Sequence, residues 1–125
     1  MSENLPPQDL DLSFLYEIAD GSDEFIVDSI EMFLEQTPQL LDTITNAIYA
    51  CDWVTAASAS HKLKPNLGFF GMPQSQANIQ EVELACKAGG QKQAEILIKF
   101  NDVKSVISTN LVELEKIKAK KQANL

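Results

Sequence analysis

The sequence predicts an all-α fold: an antiparallel up-down four-helix bundle with a short additional helix at its N-terminus. Three observations carry this. After about residue 9, apolar residues recur mostly at three- and four-residue steps, the spacing that puts them on one face of a helix. No sustained period-two run marks a strand, and no hairpin pattern interrupts the helical one. The segments are joined by short stretches carrying cap and stop residues, and short connections make successive helices antiparallel neighbours.

The elements follow in order. Residues 1–8, "MSENLPPQ", carry no helical stripe and are expected to be a flexible N-terminal segment; the domain is expected to span 9–119. "DLSFLYEIAD", 11–20, reads as the short first helix, ending at Gly21, a residue suited to the position just past a helix. Ser22 opens a long second helix as its N-cap. Asp23 and Glu24 lie in its first turn, where the helix dipole favours negative charge. Its stripe runs Phe25, Ile26, Ile30, Phe33, Leu34, Leu40, Leu41, Ile44 and Ile48, and resumes beyond Pro38, so that proline is expected to bend the helix without ending it.

Asp52 is the candidate N-cap of a third helix beginning at Trp53. Pro73 suits the first turn of a fourth, over about 73–88, whose inner face is Ile79, Val82 and Cys86 and which "GG" at 89–90 closes. The last helix is expected over about 91–119, with the stripe Ile96, Phe100, Val103, Ile107, Leu111 (with Asn110), Leu114 and Ile117. The remaining residues, 120–125, are polar and are expected to fray as a flexible tail.

Composition narrows the function. A chain of 125 residues with 45% hydrophobic residues fits one domain with one core. A net charge of −8 argues against nucleic acid and against anionic membrane surfaces, both of which call for clustered positive charge. The start has neither the basic nor the apolar region of a secretory signal, and no apolar run approaches a membrane span, so a cytoplasmic location is expected. An initial Met and a polar tail are expected of a free-standing protein. Cys51 and Cys86 form no CxxC or CxxH pattern and are expected to be reduced, buried thiols. One His and two scattered Cys do not make a zinc site, and no E-x-x-H pair suggests a metal-binding bundle.

The chemistry gathers in "SASHKLKPNLGFFGM", 58–72, which holds the only histidine of the chain. On a helical wheel at roughly 100° per residue, Trp53, Ala56, Ala59, Leu63, Leu67 and Phe70 cluster opposite His61, with Ser60 among them. His61 therefore faces solvent. Its neighbours on that side, Ala57, Ser58, Pro65 and Gly68, are all short or compact, with Lys62 to one side and Lys64 to the other. Lys64, three residues on, can lie beside the imidazole and neutralise negative charge attached to it. A free imidazole titrates near 6.5 and is in large part a neutral nucleophile at pH 7. A single His on a polar helix face is ordinarily a surface residue. What distinguishes this one is an outward His with Lys at plus three, in a clearing of small side chains that suits docking by another protein.

These residues resemble a histidine-containing phosphotransfer (HPt) domain of two-component phosphorelays. "SHKLKPNLGFFGM" is similar to the family's A-H-x-L-K-G core, keeping His61, Leu63, Lys64, Gly68 and Gly71. "GSDEFIVDSIEMFLEQTPQLLDTITNAIYACDW" resembles its preceding helix, and the likeness extends over about 9–115. The resemblance implies a phosphocarrier, not an enzyme. His61 would accept a phosphoryl group on Nε2 from a receiver-domain aspartate and relay it to another receiver, and Lys64 would contact the phosphoryl oxygens. Val54, Ala57, Ser58, Lys62, Pro65 and Gly68 would dock the partner, Val54 and Ala57 as an exposed apolar foothold. The partners implied are response-regulator receiver domains, a hybrid sensor kinase, or both. No cofactor is implied on this chain, the Mg²⁺ being the receiver's, and the state implied is monomeric.

Two positions depart from the pattern. Ser60 replaces the usual Ala and can hydrogen-bond within its own helix. Pro65 replaces the usual Gly; it cannot donate to the carbonyl of His61, which costs about 3 kcal/mol in a helix interior. The stripe continues past it to Leu67 and Phe70, so a bent helix is expected, convex toward water. The alternative that Pro65 leaves open is an HPt-like interaction module that carries no phosphate.

Overall fold

A computed structural model describes residues 9–125. Five α-helices follow one another in this span: α1 (Ser13–Ala19), α2 (Asp23–Tyr49), α3 (Trp53–Phe69), α4 (Pro73–Lys87) and α5 (Gln93–Gln122). No strand occurs among the described residues. The four long helices form the bundle: α2 packs on α3 and α5, α4 packs on the same two from the opposite corner, and α1 rests on α2. The core runs through all of them, with Leu15, Ile30, Ile44, Leu63, Leu67, Ile79, Phe100, Ile107 and Leu114 fully buried.

The helix ends obey the sequence. The Ser22 hydroxyl accepts from the Phe25 N–H at 3.1 Å and starts α2. The Asp52 carboxylate accepts from the Thr55 N–H at 3.2 Å and starts α3. Both internal prolines lie on exposed positions of unbroken helices, Pro38 in α2 and Pro65 in α3, so the missing N–H faces water at each. The first helix is shorter than expected, because the Asp11 carboxylate caps Ser13 and so lies outside the helix.

Three expectations need correction or qualification. The last helix extends to Gln122, past the expected end at 119. Lys121 holds it there through a 3.3 Å ion pair with Asp23 and a position over the Tyr16 ring. Cys51 is exposed, in the turn between α2 and α3; only Cys86 is buried, and burial pushes its thiol pKa up. The expected flexible segment 1–8 lies outside the described residues.

A short strap ahead of α1 fixes the start of α4. Met72 offers no side-chain cap there. The Asp9 carboxylate supplies one instead, accepting from the N–H groups of Gln74 at 2.9 Å and Ser75 at 2.6 Å. The Asn110 side chain donates to the Asp9 carbonyl at 3.2 Å, and the Asp11 N–H donates to the Gly71 carbonyl at 2.9 Å. Gly71, at φ +68°, packs so closely on the Asp11 backbone that any Cβ would overlap it.

Candidate functional site

His61 is the ninth helical residue after the Asp52 cap, on the side of α3 that borders α4. Its side chain is 69% exposed. Across the seam, α4 presents Glu83, whose side chain is 2% exposed. A buried carboxylate is costly unless it is paired, and this one has three partners. The His61 Nδ1 lies 3.0 Å from Oε2, the Lys64 Nζ 2.7 Å from Oε1, and the Lys87 Nζ 3.0 Å from Oε2. Burial pushes the Glu83 carboxyl pKa up, but the hydrogen bonds from Lys64, Lys87 and His61 outweigh it and hold the group down to about 2. Glu83 is therefore ionised throughout the physiological range.

An ionised carboxylate can only accept a hydrogen bond, so its imidazole partner must donate. With the imidazole neutral, Nδ1 carries the hydrogen and Nε2 keeps a free lone pair. Nε2 stands across the ring from Glu83, on the exposed side. The site thus contains a tautomerically fixed imidazole with its nucleophilic nitrogen turned to solvent, between ammonium groups.

Beside the imidazole, α3 and α4 leave an open groove of about 590 Å³, lined by Trp53, Val54, Ser58, His61, Lys62 and Lys87, with Ala57, Glu83 and Cys86 also along it. Val54 is 82% exposed at one end. Ser58, Lys62 and Pro65 are exposed, as the wheel required. Ala57 is not: it is buried, and the expectation of an exposed apolar foothold there is corrected. The wheel of a single helix cannot show where the neighbouring helix lies, and position 57 faces the seam with α4. For the same reason the clearing around His61 is not empty, since Glu83 reaches the ring from α4.

Gly68 is half-buried under α4. A Cβ there would sit 2.7 Å from Nε2 of Gln76, which donates to the Lys64 carbonyl at 3.0 Å. Its smallness lets the Gln76 amide reach the backbone of α3. Ser60 is fully buried, and its hydroxyl finds no partner among the described residues, so the hydrogen bond expected within its own helix is absent.

The wheel set Lys64 beside His61, and in the structure both reach one carboxylate, that of Glu83, which the wheel missed along with Lys87 and Gln76. One signal for Glu83 was present. Ile79, Val82 and Cys86 define the inner face of α4, and Glu83, four residues after Ile79, falls on that same face. A carboxylate on an apolar stripe needs a partner from a neighbouring helix, and the exposed His and Lys of α3 were the candidates.

Comparison with known proteins places this geometry in a family. The family model of the Hpt domain matches residues 28–117, which covers most of α2, all of α3 and α4, and most of α5. No curated protein and no solved structure shows significant similarity to the chain.

Proposed function

We propose a phosphocarrier role at His61 for this chain, which belongs to the Hpt-domain family of two-component signalling. Domains of this family pass phosphoryl groups on and interact with receiver domains and kinases. The observation that carries the assignment to His61 is the Nδ1–Glu83 contact, which leaves Nε2 as the free and exposed nitrogen.

The step balances as follows. The Nε2 lone pair attacks the phosphorus of an aspartyl phosphate on a receiver domain. The N–P bond forms as the P–O bond to the aspartate breaks, and that bonding pair leaves with the carboxylate. No proton need move. The Nδ1 hydrogen stays shared with Glu83, whose negative charge stabilises the positive charge that develops on the ring. Reversal onto a second receiver aspartate uses the same groups, and the protonated imidazole is the better leaving group. Such transfer depends chiefly on positioning and charge neutralisation. Lys64 serves both, by keeping Glu83 ionised and by adding positive charge beside the ring. The receiver supplies the aspartate and its Mg²⁺. Val54, Ser58, Lys62 and Pro65, exposed on the same face of α3, form the docking surface.

Pro65, which raised the possibility of a module without phosphate, does not interrupt α3 and projects no long side chain toward the imidazole. Among the described residues no helix is long and apolar enough to cross a membrane. The test is transfer from a phosphorylated receiver. Wild type should gain acid-labile label, and His61→Gln should gain none. Label on His61→Gln, or none on wild type, would remove the assignment. Lys64→Ala should slow transfer while leaving the bundle folded.

A further inference from the structure

The turn of α3 that carries His61 lacks one of its own backbone hydrogen bonds. Pro65 has no N–H, so the His61 carbonyl loses its donor from four residues on, and the proline ring crowds that carbonyl. The helix nevertheless runs unbroken from Trp53 to Phe69. Support beside the gap comes from α4. The Gln76 Nε2 donates to the Lys64 carbonyl, in the same turn as His61, at 3.0 Å. Gly68 leaves room for it, since a Cβ there would sit 2.7 Å from that nitrogen.

The Gln76 side chain is only as firm as the start of α4. The Gln76 N–H makes an opening bond of that helix, to the Met72 carbonyl at 2.9 Å, and Met72 offers no side-chain cap. Asp9 caps the two residues just before Gln76, accepting from the N–H groups of Gln74 and Ser75. Asp9 itself takes the left-handed backbone at φ +61°, which a non-glycine residue keeps only where its surroundings fix it. The fully buried Asn110 side chain, bonded to the Asp9 carbonyl, and the Asp11 bond to the Gly71 carbonyl do so.

From this chain of contacts we infer that Asp9 and Gln76 are positioning residues for His61: the strap caps α4, and Gln76 braces the turn of α3 that Pro65 weakens. The inference rests on the phosphocarrier reading of His61. It goes beyond that reading by adding two residues that act through the backbone and not on the imidazole. Ser75 is buried, so a lost carboxylate leaves its N–H short of a partner, and the first turn of α4 frays. Gln76 then leaves the Lys64 carbonyl, and the site turn depends on a helical ladder with one bond missing. A misplacement of about 1 Å at a reacting group costs up to about a hundredfold in rate.

Label on His61 is followed with phosphoramidate as donor, so that partner docking plays no part, and with a phosphorylated receiver as a second donor. Wild type is compared with Asp9→Ala, Asp9→Asn, Gln76→Ala and Ser22→Ala, each made also in a Pro65→Ala background. Ser22→Ala removes a cap of the same kind from α2, a helix that carries none of these residues. Uptake should fall about fivefold in Asp9→Ala and Gln76→Ala and recover in part in Asp9→Asn, which keeps an accepting oxygen. Ser22→Ala should match wild type. Amide exchange at Asn66, Leu67 and Gly68, just past the proline, should quicken about tenfold relative to the rest of α3 in Asp9→Ala and Gln76→Ala, and not in Ser22→Ala. With Pro65→Ala the His61 carbonyl regains its donor, and there Asp9→Ala and Gln76→Ala should slow uptake by less than about twofold. Three results would each overturn the inference and leave the phosphocarrier reading standing: wild-type uptake in Gln76→Ala, equal slowing in Ser22→Ala and Asp9→Ala, or the same slowing with and without Pro65. No uptake by wild type from either donor overturns both.

Discussion

The Asp9 carboxylate lies 2.6 Å from the Ser75 N–H, across 66 positions of chain, and is the cap that α4 lacks in its own sequence. The first N–H groups of a helix have no partner within the helix, and a side-chain oxygen usually comes from the residue just before it. Here the preceding residue is Met72, which has none to give. Asp9→Ala should therefore destabilise the bundle by about 1–2 kcal/mol, read as a lower urea midpoint with an unchanged slope. Asp9→Asn, which keeps an accepting oxygen, should recover part of the loss. An unchanged midpoint in Asp9→Ala would show that water replaces the carboxylate at no cost.

Ser60→Ala should stabilise the protein. The hydroxyl is fully buried beneath the His61 turn and has no partner among the described residues. A buried hydroxyl without a hydrogen bond costs about 1–3 kcal/mol, and Ala is also the better helix former. A gain of about 1 kcal/mol in chemical denaturation is expected, with phosphoryl transfer unchanged, since Ser60 is fully buried while the His61 side chain is exposed. A loss of stability would mean that the hydroxyl is satisfied in solution.

The helices were legible because their signals are local. Ser22 and Asp52 cap within three residues, Pro73 opens α4, and the stripe of α5 keeps its spacing from Ile96 to Leu114. His61 and Lys64 were legible for the same reason, since they share one turn of one helix. What escaped depends on how helices meet. Asp9 reaches α4 across the fold, Glu83 reaches His61 across the α3–α4 seam, and Ala57 is buried by that seam. A wheel gives the direction of a side chain from its own axis but not the position of the next axis. The end of α5 escaped because Lys121 is held by Asp23 of α2, a contact that the polar tail does not announce.

Gly68 and Gln76 form a coupled pair. A Cβ at 68 would crowd the end of the Gln76 side chain, which is flexible and can move aside, losing its hydrogen bond to the Lys64 carbonyl. Ala is favoured over Gly in a helix interior by about 1 kcal/mol, close to the worth of one such hydrogen bond. Gly68→Ala alone should then be nearly neutral. In a Gln76→Ala background, where the crowding is gone, the same change should stabilise by about 1 kcal/mol. A double-mutant cycle reads the difference, and additive effects would show that the two side chains do not interact.

The Glu83 carboxylate should impose a distinctive acid limit on the fold. Its pKa is held at about 2, below the ordinary 4.5, because the hydrogen bonds from Lys64, Lys87 and His61 outweigh the cost of burial. A carboxyl whose folded pKa lies below its unfolded one contributes stability that is fully present above the unfolded value. That contribution is lost as pH falls toward the folded value. The window here runs from 4.5 down to about 2. Glu83→Gln removes the titrating group while keeping the shape, and leaves Lys64 and Lys87 without their counter-charge. At pH 7 the variant should be the less stable protein. As pH is lowered through the window, wild type should lose stability faster than the variant, so the gap between their urea midpoints should narrow. A gap that is constant over this range would show that the carboxylate is not held by the three donors. The same variant should transfer phosphoryl groups more slowly at pH 7, because an amide does not fix the hydrogen on Nδ1: its oxygen can accept but its NH₂ can also donate. Loss of the acid-dependent gap together with normal transfer would separate the stabilising role of Glu83 from its role in holding the imidazole.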